Sequence, residues 1–358
     1  MYKTIAVCVL AASCFAGCNK KKEEAGSGPA TTSGAKAAEP GGPVSLNASG
    51  STFQKPFQEA AIEGFSKIMK DAKINYGGGG SGKGRQDLAD QVVDFAGADS
   101  PYKDAELAKN KGGDVLYFPI LLGAITISYN VDGIDKLQLS PVTVAKIFQR
   151  DIKKWNDKEI AADNPDAKLP DADIVVAHRS DGSGTTDNFT KYLDRTAKDV
   201  WKLKSGSTVE WPADTQAGNG NPGVAQIVKS TKGAIGYVDL SDAKASGLKF
   251  ALIKNQAGKY VEPSSDSASA AGDGIEVKDN LLFSALDPKG DGSYPITYQS
   301  WVIVYAKQTN PTKGAALKAY LKYLVTDAQA MLKELDFAPL PRSLAGKAVA
   351  QLDKIQVQ

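Results

Sequence analysis

The segment DVLYFPILLGAITISYN, residues 114–130, constrains the fold more than any other part of the chain. It is a nearly continuous run of apolar and β-branched residues, which is typical of strands buried on both faces of a sheet. Around it, from Val44 onward, short β-rich segments alternate with amphipathic helices. This alternation predicts an α/β protein.

The length of the chain favours two lobes over one. A single hydrophobic core stops growing at about 250 to 300 residues, and this chain has 358. Two lobes enclose a cleft, and the apolar run at 114–130 is predicted to carry the chain from the first lobe to the second.

Two local predictions accompany this fold. A helix is predicted over residues 56–72, with one apolar face made of Phe57, Ala61, Phe65, Ile68 and Met69. The low-complexity segment SSDSASAAGDG, residues 264–274, is predicted to be a surface loop without function.

The N-terminus has the composition of an export signal. Residues 1–17 contain a short basic start and a brief apolar stretch, and are predicted to be a lipoprotein signal peptide. The segment FAGC resembles a bacterial lipobox, which makes Cys18 the candidate lipidation site, although Phe15 stands where Leu is usual. Cys14 and a plain secretory signal remain as alternatives. Residues 18–43 cannot bury enough apolar surface to fold and are predicted to be a disordered tether.

Cysteine usage and charge exclude several classes of function. The three cysteines all lie in the leader, at positions 8, 14 and 18, so the folded part has no disulfide, thiol nucleophile or cysteine metal site. The formal net charge is only +2, which provides no global field for nucleic acid. After the leader no apolar run approaches the roughly 20 residues of a membrane helix. Any specificity for an anion must therefore be local.

Two glycine-containing segments are candidate anion sites. In AHRSDGSGTTDNF, residues 177–189, Arg179 is followed by small hydroxyl residues at a predicted helix start. The segment GGGGSGKG, residues 77–84, places Ser81 in a predicted glycine loop that opens another helix. Backbone amides at helix starts bind anions. The second segment also approaches a P-loop, but Gly84 stands where the Mg²⁺-binding hydroxyl belongs, which argues against an NTPase.

Other enzymatic sites have weaker support. His178 is the only histidine and neighbours Arg179, Asp181 and Ser183, so a Ser/His/Asp hydrolase is an alternative. However, residues 178 and 179 of a strand point to opposite faces, and no G-x-S-x-G elbow surrounds Ser183. With one histidine and no cysteine outside the leader, no metal site or other cofactor is predicted.

Arg179 and Asp99 both lie at the predicted ends of apolar strands. Ligand clefts of open α/β sheets form at such ends. A purely structural ion pair is the alternative interpretation of two such residues.

Four ordered segments resemble the PstS family, the phosphate-binding proteins of bacterial high-affinity phosphate ABC importers. They are GSTF at residues 50–53, GGGSG with Ser81, GADS with Asp99, and RSDGSGTT with Arg179. The similarity continues through IKKWND, WPADTQAGNGNPGV, GAIGYVDL and YPITYQSWVIVY, and so extends over nearly the whole chain from about Leu46.

The resemblance implies a type II periplasmic-binding-protein fold. Each of its two lobes is a mixed sheet flanked by helices, and the ligand lies in the cleft between the lobes. We expect lobe I to comprise residues 44–119 and 296–358, and lobe II residues 120–295. The resemblance also implies a monomeric phosphate receptor without catalysis, held at the periplasm or the outer face of the cell membrane by its lipid anchor. Its partners would be inorganic phosphate and ABC permease subunits with a cytoplasmic ATPase.

The resemblance further implies a set of ligand contacts. The implied phosphate ligands are Thr52, Phe53, Ser81, Asp99, Arg179, Ser183, Gly184 and Thr185. Asp181 is expected to hold Arg179 from behind. The segment SGKG departs from many relatives, so a contact from Gly82 or Lys83 is left open.

Asp99 is the unexpected member of this set, because a carboxylate repels an anion. It suits a ligand that carries a proton, since monohydrogen or dihydrogen phosphate can donate a hydrogen bond to ionised Asp99. Sulfate would instead present an acceptor to an acceptor, and such a mismatch gives strong discrimination. A same-fold receptor for another oxyanion, sulfate or molybdate, and an exported phosphatase remain as alternatives.

Overall fold

The computed structural model of the protein describes residues 43–358. The predicted signal peptide, the candidate lipidation site Cys18 and the predicted tether as far as residue 42 lie outside the described residues.

Strands and helices alternate along the described chain, as the sequence predicts. The strands are β1 (Val44–Gly50), β2 (Ala72–Gly79), β3 (Phe95–Ala98), β4 (Val115–Asn130), β5 (Gln138–Leu139), β6 (Val175–Arg179), β7 (Gln216–Gly218), β8 (Ala234–Asp239), β9 (Lys249–Phe250), β10 (Leu252–Lys254), β11 (Tyr260–Val261), β12 (Thr297–Tyr305), β13 (Lys307–Gln308) and β14 (Gln356–Val357). The α-helices are α1 (Lys55–Ile68), α2 (Ser81–Ala89), α3 (Asp104–Leu107), α4 (Pro141–Phe148), α5 (Lys158–Asp163), α6 (Gly184–Thr196), α7 (Gly220–Ser230), α8 (Leu240–Ala245), α9 (Ser265–Ala271), α10 (Pro311–Val325) and α11 (Arg342–Gln351). Short 3₁₀ helices cover Asp327–Met331, Lys333–Leu335 and Leu352–Lys354.

The apolar run at 114–130 forms one long strand, β4, that belongs to two groups of strands. Its residues 115–124 pair antiparallel with β12, and its residues 125–130 pair antiparallel with β8. We call β2, β1, β3, β12 and residues 115–124 the first subsheet, and residues 125–130 with β8, β6, β7 and β9 the second subsheet. The strand thus carries the chain between the two groups.

Both subsheets are mixed. In the first, β1 pairs in parallel with β2 and β3, while β12 is antiparallel to β3 and β4. In the second, β6 pairs in parallel with β7 and β8, while β4 is antiparallel to β8 and β9. The predicted lobe boundary at residues 119 and 120 falls inside β4, and the lobe boundaries stay a prediction.

Helix α1 buries most of its predicted apolar face. Phe57, Ala61 and Phe65 are buried in the core, and Met69 packs against the core just after the helix. Ile68 does not belong to this face, because its side chain is 65% exposed at the last residue of α1. That part of the prediction was wrong.

The glycine segment at 77–84 is more regular than the predicted loop. β2 continues through Gly79 because it pairs in parallel with β1, where Gly79 lies opposite Gly50. Gly80 alone separates the strand from α2, with a φ of +88° that favours glycine. Ser81 is therefore the first residue of a helix, directly after a strand.

The segment at 264–274 is not a surface loop, so that prediction was wrong. Residues 265–271 form α9, which begins with a capping box between Ser264 and Ser267. Ala268 and Ala271, three residues apart, are each 1% exposed, and Ser265 Oγ donates to the carbonyl of Phe337 at 2.6 Å. The two alanines thus place one face of α9 in the interior.

Within residues 43–358, no helix combines the length and apolar character needed to cross a membrane.

Candidate functional site

The carboxyl ends of three neighbouring parallel strands bring polar residues together. Thr52 follows the end of β1, Ser81 follows β2 and Asp99 follows β3 directly. Because β2, β1 and β3 are adjacent and parallel, these ends meet at one edge of the first subsheet. This is where ligand clefts of α/β sheets form.

Asp99 lies at the centre of this edge and is 1% exposed. Its Oδ2 accepts hydrogen bonds from Ser51 Oγ at 2.8 Å and Ser81 Oγ at 3.2 Å, and its Oδ1 accepts one from Ser300 Oγ at 2.5 Å. Burial raises the pKa of Asp99 to about 6, although the three hydroxyl donors and the charge of Arg179 act in the opposite direction. Three hydroxyl donors thus surround the carboxylate, an environment that suits its ionised form.

Ser81 connects Asp99 to the start of α2. Its Oγ accepts a hydrogen bond from the backbone amide of Asp99 at 3.1 Å. Ser81 is also the first residue of α2, and the first amides of an α-helix have no intrahelical acceptor. That helix start, with its partial positive charge, lies beside Asp99.

Arg179, the last residue of β6, is buried with 4% exposure. Its Nε donates to Asp181 Oδ1 at 2.7 Å, and its Nη2 donates to Asp181 Oδ2. Its Nη1 donates to Asn221 Oδ1 at 3.1 Å and to Thr185 Oγ1 at 3.4 Å. Burial lowers the pKa of Arg179, but the hydrogen bond to Asp181 and the charges of Asp181, Tyr237 and Tyr298 together raise it by more, so the net shift is upward. The guanidinium stays charged.

Asp181 is held on both oxygens by donors. In addition to Arg179, the amide of Gly220 donates to Asp181 Oδ1 at 3.0 Å. Burial raises the pKa of Asp181, but the hydrogen bond and charge of Arg179, together with the backbone amides of Gly220 and Asp181, lower it by more, so the net shift is downward. The ion pair fixes the guanidinium plane from its far side.

The start of α6, which follows β6 of the second subsheet, is formed by Ser183, Gly184 and Thr185. Ser183 is the N-cap, and its Oγ accepts the amide of Thr186 at 3.0 Å. Gly184 and Thr185 are the first two helical residues, so their amides have no intrahelical acceptor. Free amides and a helix dipole make this start an anion-binding element.

Gly184 lies against Ser81 and Asp99, which follow strands of the first subsheet. A Cβ at this position would be 2.4 Å from Ser81 Oγ and 2.7 Å from Asp99 Cβ. Only glycine lets the two helix starts approach this closely.

Further contacts join the two subsheets around this point. The amide of Gly82 donates to the carbonyl of Gly182 at 2.8 Å, and Asn188 Nδ2 donates to the carbonyl of Asp99 at 2.7 Å. Lys83 turns to Asp87 on the same helix at 2.5 Å. Gly82 and Lys83 are thus engaged by protein groups.

Thr52 and Phe53 lie in the turn after β1. Thr52 Oγ1 accepts the amide of Asn221 at 3.2 Å. The Phe53 ring is fully buried and stacks on Tyr298 with the centroids 4.0 Å apart, while its amide donates to Ser51 Oγ at 3.1 Å. The turn is held by aromatic packing on one side and by Ser51 on the other.

Comparisons with known proteins agree on the family. A model of the PBP superfamily domain matches residues 30–328. The Phosphate-binding protein PstS of Methanocaldococcus jannaschii is 37% identical over 311 residues, which cover 80% of this chain and 79% of the relative. The PstS protein of Xylella fastidiosa is 33% identical over 349 residues, 94% of each chain. The chain belongs to the PstS family.

A solved structure shows the same fold as this PstS-family chain. A high affinity periplasmic phosphate-binding protein, PfluDING, solved with bound phosphate, superposes with a TM-score of 0.73 and 21% identity over 86% of this chain and 94% of its own. The predicted periplasmic-binding-protein fold is therefore confirmed. The relatives carry the names of binding proteins and not of enzymes.

Sequence reasoning missed three polar residues that surround the site of this family member. Ser51 and Ser300 donate to Asp99, and Asn221 contacts Arg179. Ser300 lies in the fully buried strand β12, and a polar residue in a strand that is otherwise mostly apolar is the signal that could have indicated it. Asn221 lies in the segment WPADTQAGNGNPGV, but its partner Arg179 is 42 residues away.

His178 has a structural position beside the site. Its ring stacks on Trp211 with the centroids 5.0 Å apart, and its Nδ1 lies 2.9 Å from the carbonyl of Arg179. Burial lowers the pKa of His178. Among residues 43–358, no group of three or more His, Cys, Asp or Glu side chains is arranged to hold a metal ion.

Proposed function

We propose that this chain is the extracytoplasmic substrate-binding component of a phosphate ABC importer. It binds inorganic phosphate, performs no chemistry on it and delivers it to permease subunits driven by a cytoplasmic ATPase. Membership of the PstS family supports this assignment.

The observation that carries the proposal is a buried carboxylate that accepts three hydroxyl hydrogen bonds among anion-binding elements. Asp99 is 1% exposed, yet it lies beside the starts of α2 and α6. The positive charge of Arg179 is close enough to lower the pKa of Asp99. A receptor for a fully ionised anion has no use for such a carboxylate. A phosphate that keeps a proton can donate it to Asp99 as a hydrogen bond, while its other oxygens accept from the helix starts and Arg179.

The proposed ligand contacts follow from this arrangement. Neutral donors and one guanidinium would surround the phosphate oxygens, and Asp99 would accept the phosphate proton. The proposed contacts are Thr52, Phe53, Ser81, Asp99, Arg179, Ser183, Gly184 and Thr185, with Asp181 supporting Arg179.

Binding is proposed to proceed by closure of lobe I (44–119 and 296–358) on lobe II (120–295). The direct contacts between the subsheets, such as Gly82 with Gly182, support this, because they join groups on opposite sides of the site. The permease would recognise the closed form.

The cellular setting is part of the proposal. A signal peptide over residues 1–17 and lipidation at Cys18 would hold a monomeric receptor at the periplasmic or outer face of a membrane through a tether. The sequence FAGC followed by a lysine-rich and glycine-rich segment supports this.

Uptake of radiolabelled phosphate tests the proposal. Cells that lack the gene should lose high-affinity uptake at low phosphate, and the wild-type chain should restore it. Arg179→Met should fail to restore uptake, while Arg342→Met, at an exposed arginine that begins α11, should restore it fully. Normal uptake with Arg179→Met would contradict the proposal.

A further inference from the structure

Asn221 is a buried side chain that contacts two proposed phosphate ligands at once. It is the second residue of α7 and is fully buried. Its Oδ1 accepts from Arg179 Nη1 at 3.1 Å, and its Nδ2 donates to Thr185 Oγ1 at 3.3 Å. It stands behind the ligand contacts and connects them.

The amide of Asn221 has only one workable orientation. A guanidinium has donors and no acceptor, so the group that faces Arg179 must be the amide oxygen. The amide nitrogen then faces Thr185. The buried ion pair with Asp181 holds Arg179 in place and thereby fixes this orientation.

This orientation determines what the Thr185 hydroxyl can do. Its oxygen receives two donors, Arg179 Nη1 at 3.4 Å and Asn221 Nδ2 at 3.3 Å. A hydroxyl oxygen has two lone pairs, so both are used. The hydroxyl can then act only as a donor, and Tyr298 OH lies within reach as a protein acceptor at a long 3.4 Å.

We propose that Asn221 is a positioning residue that makes the Thr185 hydroxyl a dedicated donor, which favours an unprotonated ligand oxygen beside it over the long 3.4 Å contact with Tyr298 OH. This inference rests on the proposed function, and it adds an orientation to it. A monohydrogen phosphate would place its proton at Asp99 and a bare oxygen at Thr185. The two polar ends of the site would together fix one orientation of the ligand.

The backbone of Asn221 extends the same arrangement across the site. Its amide donates to Thr52 Oγ1 at 3.2 Å, and Thr52 follows β1 of the first subsheet. The neighbouring amide of Gly220 donates to Asp181. One helix start thus supports the arginine, the Thr185 hydroxyl and a threonine of the opposite subsheet.

Three variants and one matched control test the side chain. Asn221→Ala removes the donor to Thr185, and we expect phosphate affinity to fall about 10-fold. Asn221→Asp keeps the shape but offers an acceptor to Thr185 and a negative charge to the site, so we expect a fall of about 100-fold or more. Asn219→Ala changes the same residue type at the exposed N-cap of α7 and should stay within about 2-fold of wild type. The third variant, Thr185→Val, removes the hydroxyl through which Asn221 is inferred to act.

Calorimetric titration decides between positioning and simple packing. It is carried out on all single variants and on the double variant that combines Asn221→Ala with Thr185→Val. If Asn221 acts through the Thr185 hydroxyl, Asn221→Ala should cost less than about 2-fold once that hydroxyl is gone. An equal loss in both backgrounds would overturn the inference, and so would unchanged affinity in Asn221→Ala. Thermal unfolding of each variant verifies that it folds. If Asn221→Ala does not fold, the isosteric Asn221→Asp is titrated with and without Thr185→Val instead.

The outcomes also separate this inference from the proposed function. If the wild-type protein does not bind phosphate, the proposed function fails. If the wild-type protein binds phosphate and Asn221→Ala binds it equally well, only the role of Asn221 fails.

Discussion

Arg179 and Asp181 form a buried, two-point ion pair in which Nε and Nη2 of the arginine donate to the two oxygens of the aspartate. Their side chains are 1% and 8% exposed. The pair leaves Nη1 as the guanidinium nitrogen that faces Asn221 and Thr185. The ion pair therefore fixes the orientation of the guanidinium relative to Asn221 and Thr185.

Removing one partner of this pair should destabilise the protein. Asp181→Asn leaves the charge of Arg179 buried without its counter-ion, and the free energy of unfolding should fall by about 3 to 5 kcal/mol. Urea denaturation measures this change. The control is Asp214→Asn, which removes the 51% exposed partner of Arg150 and should leave the free energy of unfolding nearly unchanged. Equal small losses in both variants would contradict the role given to Asp181.

Gly184→Ala should separate the two helix starts. The added Cβ would lie 2.4 Å from Ser81 Oγ, closer than any real contact, so we expect phosphate affinity to fall by roughly 100-fold or more, as for other overpacked sites. Gly182→Ala is the matched control, because its Cβ would lie 3.4 Å from the nearest atom, the Cα of Gly82. Titration calorimetry of both variants gives the comparison. Wild-type affinity in Gly184→Ala would refute the close approach.

The pKa of Asp99 predicts a pH dependence of stability in the ligand-free protein. Burial raises this pKa from 3.8 to about 6, so the folded state holds a proton that the unfolded state has lost. The stabilising contribution is complete below about pH 4 and disappears as pH rises through about 6, a change of about 3 kcal/mol. Thermal unfolding from pH 4 to pH 7 should show this decline in the wild type and a smaller one in Asp99→Asn. Identical pH profiles would contradict the shift.

A second buried carboxyl pair, Asp239 and Asp242, gives a similar prediction with a different variant. Asp239 Oδ1 accepts the amide of Asp242 at 3.0 Å. Burial raises the pKa of Asp239 and the charge of Asp242 raises it further, and burial also raises the pKa of Asp242. Both shifts favour the protonated forms, so stability should fall as pH rises through the raised pKa values.

Asp242→Asn removes this like-charge repulsion. At pH 8 we expect the free energy of unfolding to rise by about 1 kcal/mol, with little change at pH 4. Asp135→Asn, at a carboxylate that is 93% exposed, should leave stability nearly unchanged at either pH. Denaturant melts at the two pH values measure both variants. A loss of stability in Asp242→Asn at pH 8 would show that the pair is not repulsive.

The sequence predicts the site residues that directly follow strands better than the residues that are distant from their site partners along the chain. Asp99 and Arg179 were recognisable because an apolar strand ends at each of them. Ser300 was not, because it lies 201 residues from its partner Asp99, and pairing between distant strands cannot be read from local patterns. Asn221 was missed for the same reason.

The errors in the fold also have physical causes. The glycines at 77–79 suggested a loop, yet pairing with β1 holds them in a strand. The serine and alanine residues at 264–274 suggested an exposed loop, yet Ala268 and Ala271 pack in the interior. In both cases tertiary contacts override the preference of the local sequence.

Isothermal titration of the protein with phosphate and then with sulfate tests the central claim most directly. Both titrations use equal ionic strength, after carried-over ligand has been removed by unfolding and refolding. We predict tight one-to-one binding of phosphate, no heat from sulfate, and weakened rejection of sulfate with measurable phosphate binding in Asp99→Asn. Sulfate binding by the wild type, no binding of phosphate, or unchanged sulfate rejection in Asp99→Asn would contradict the account.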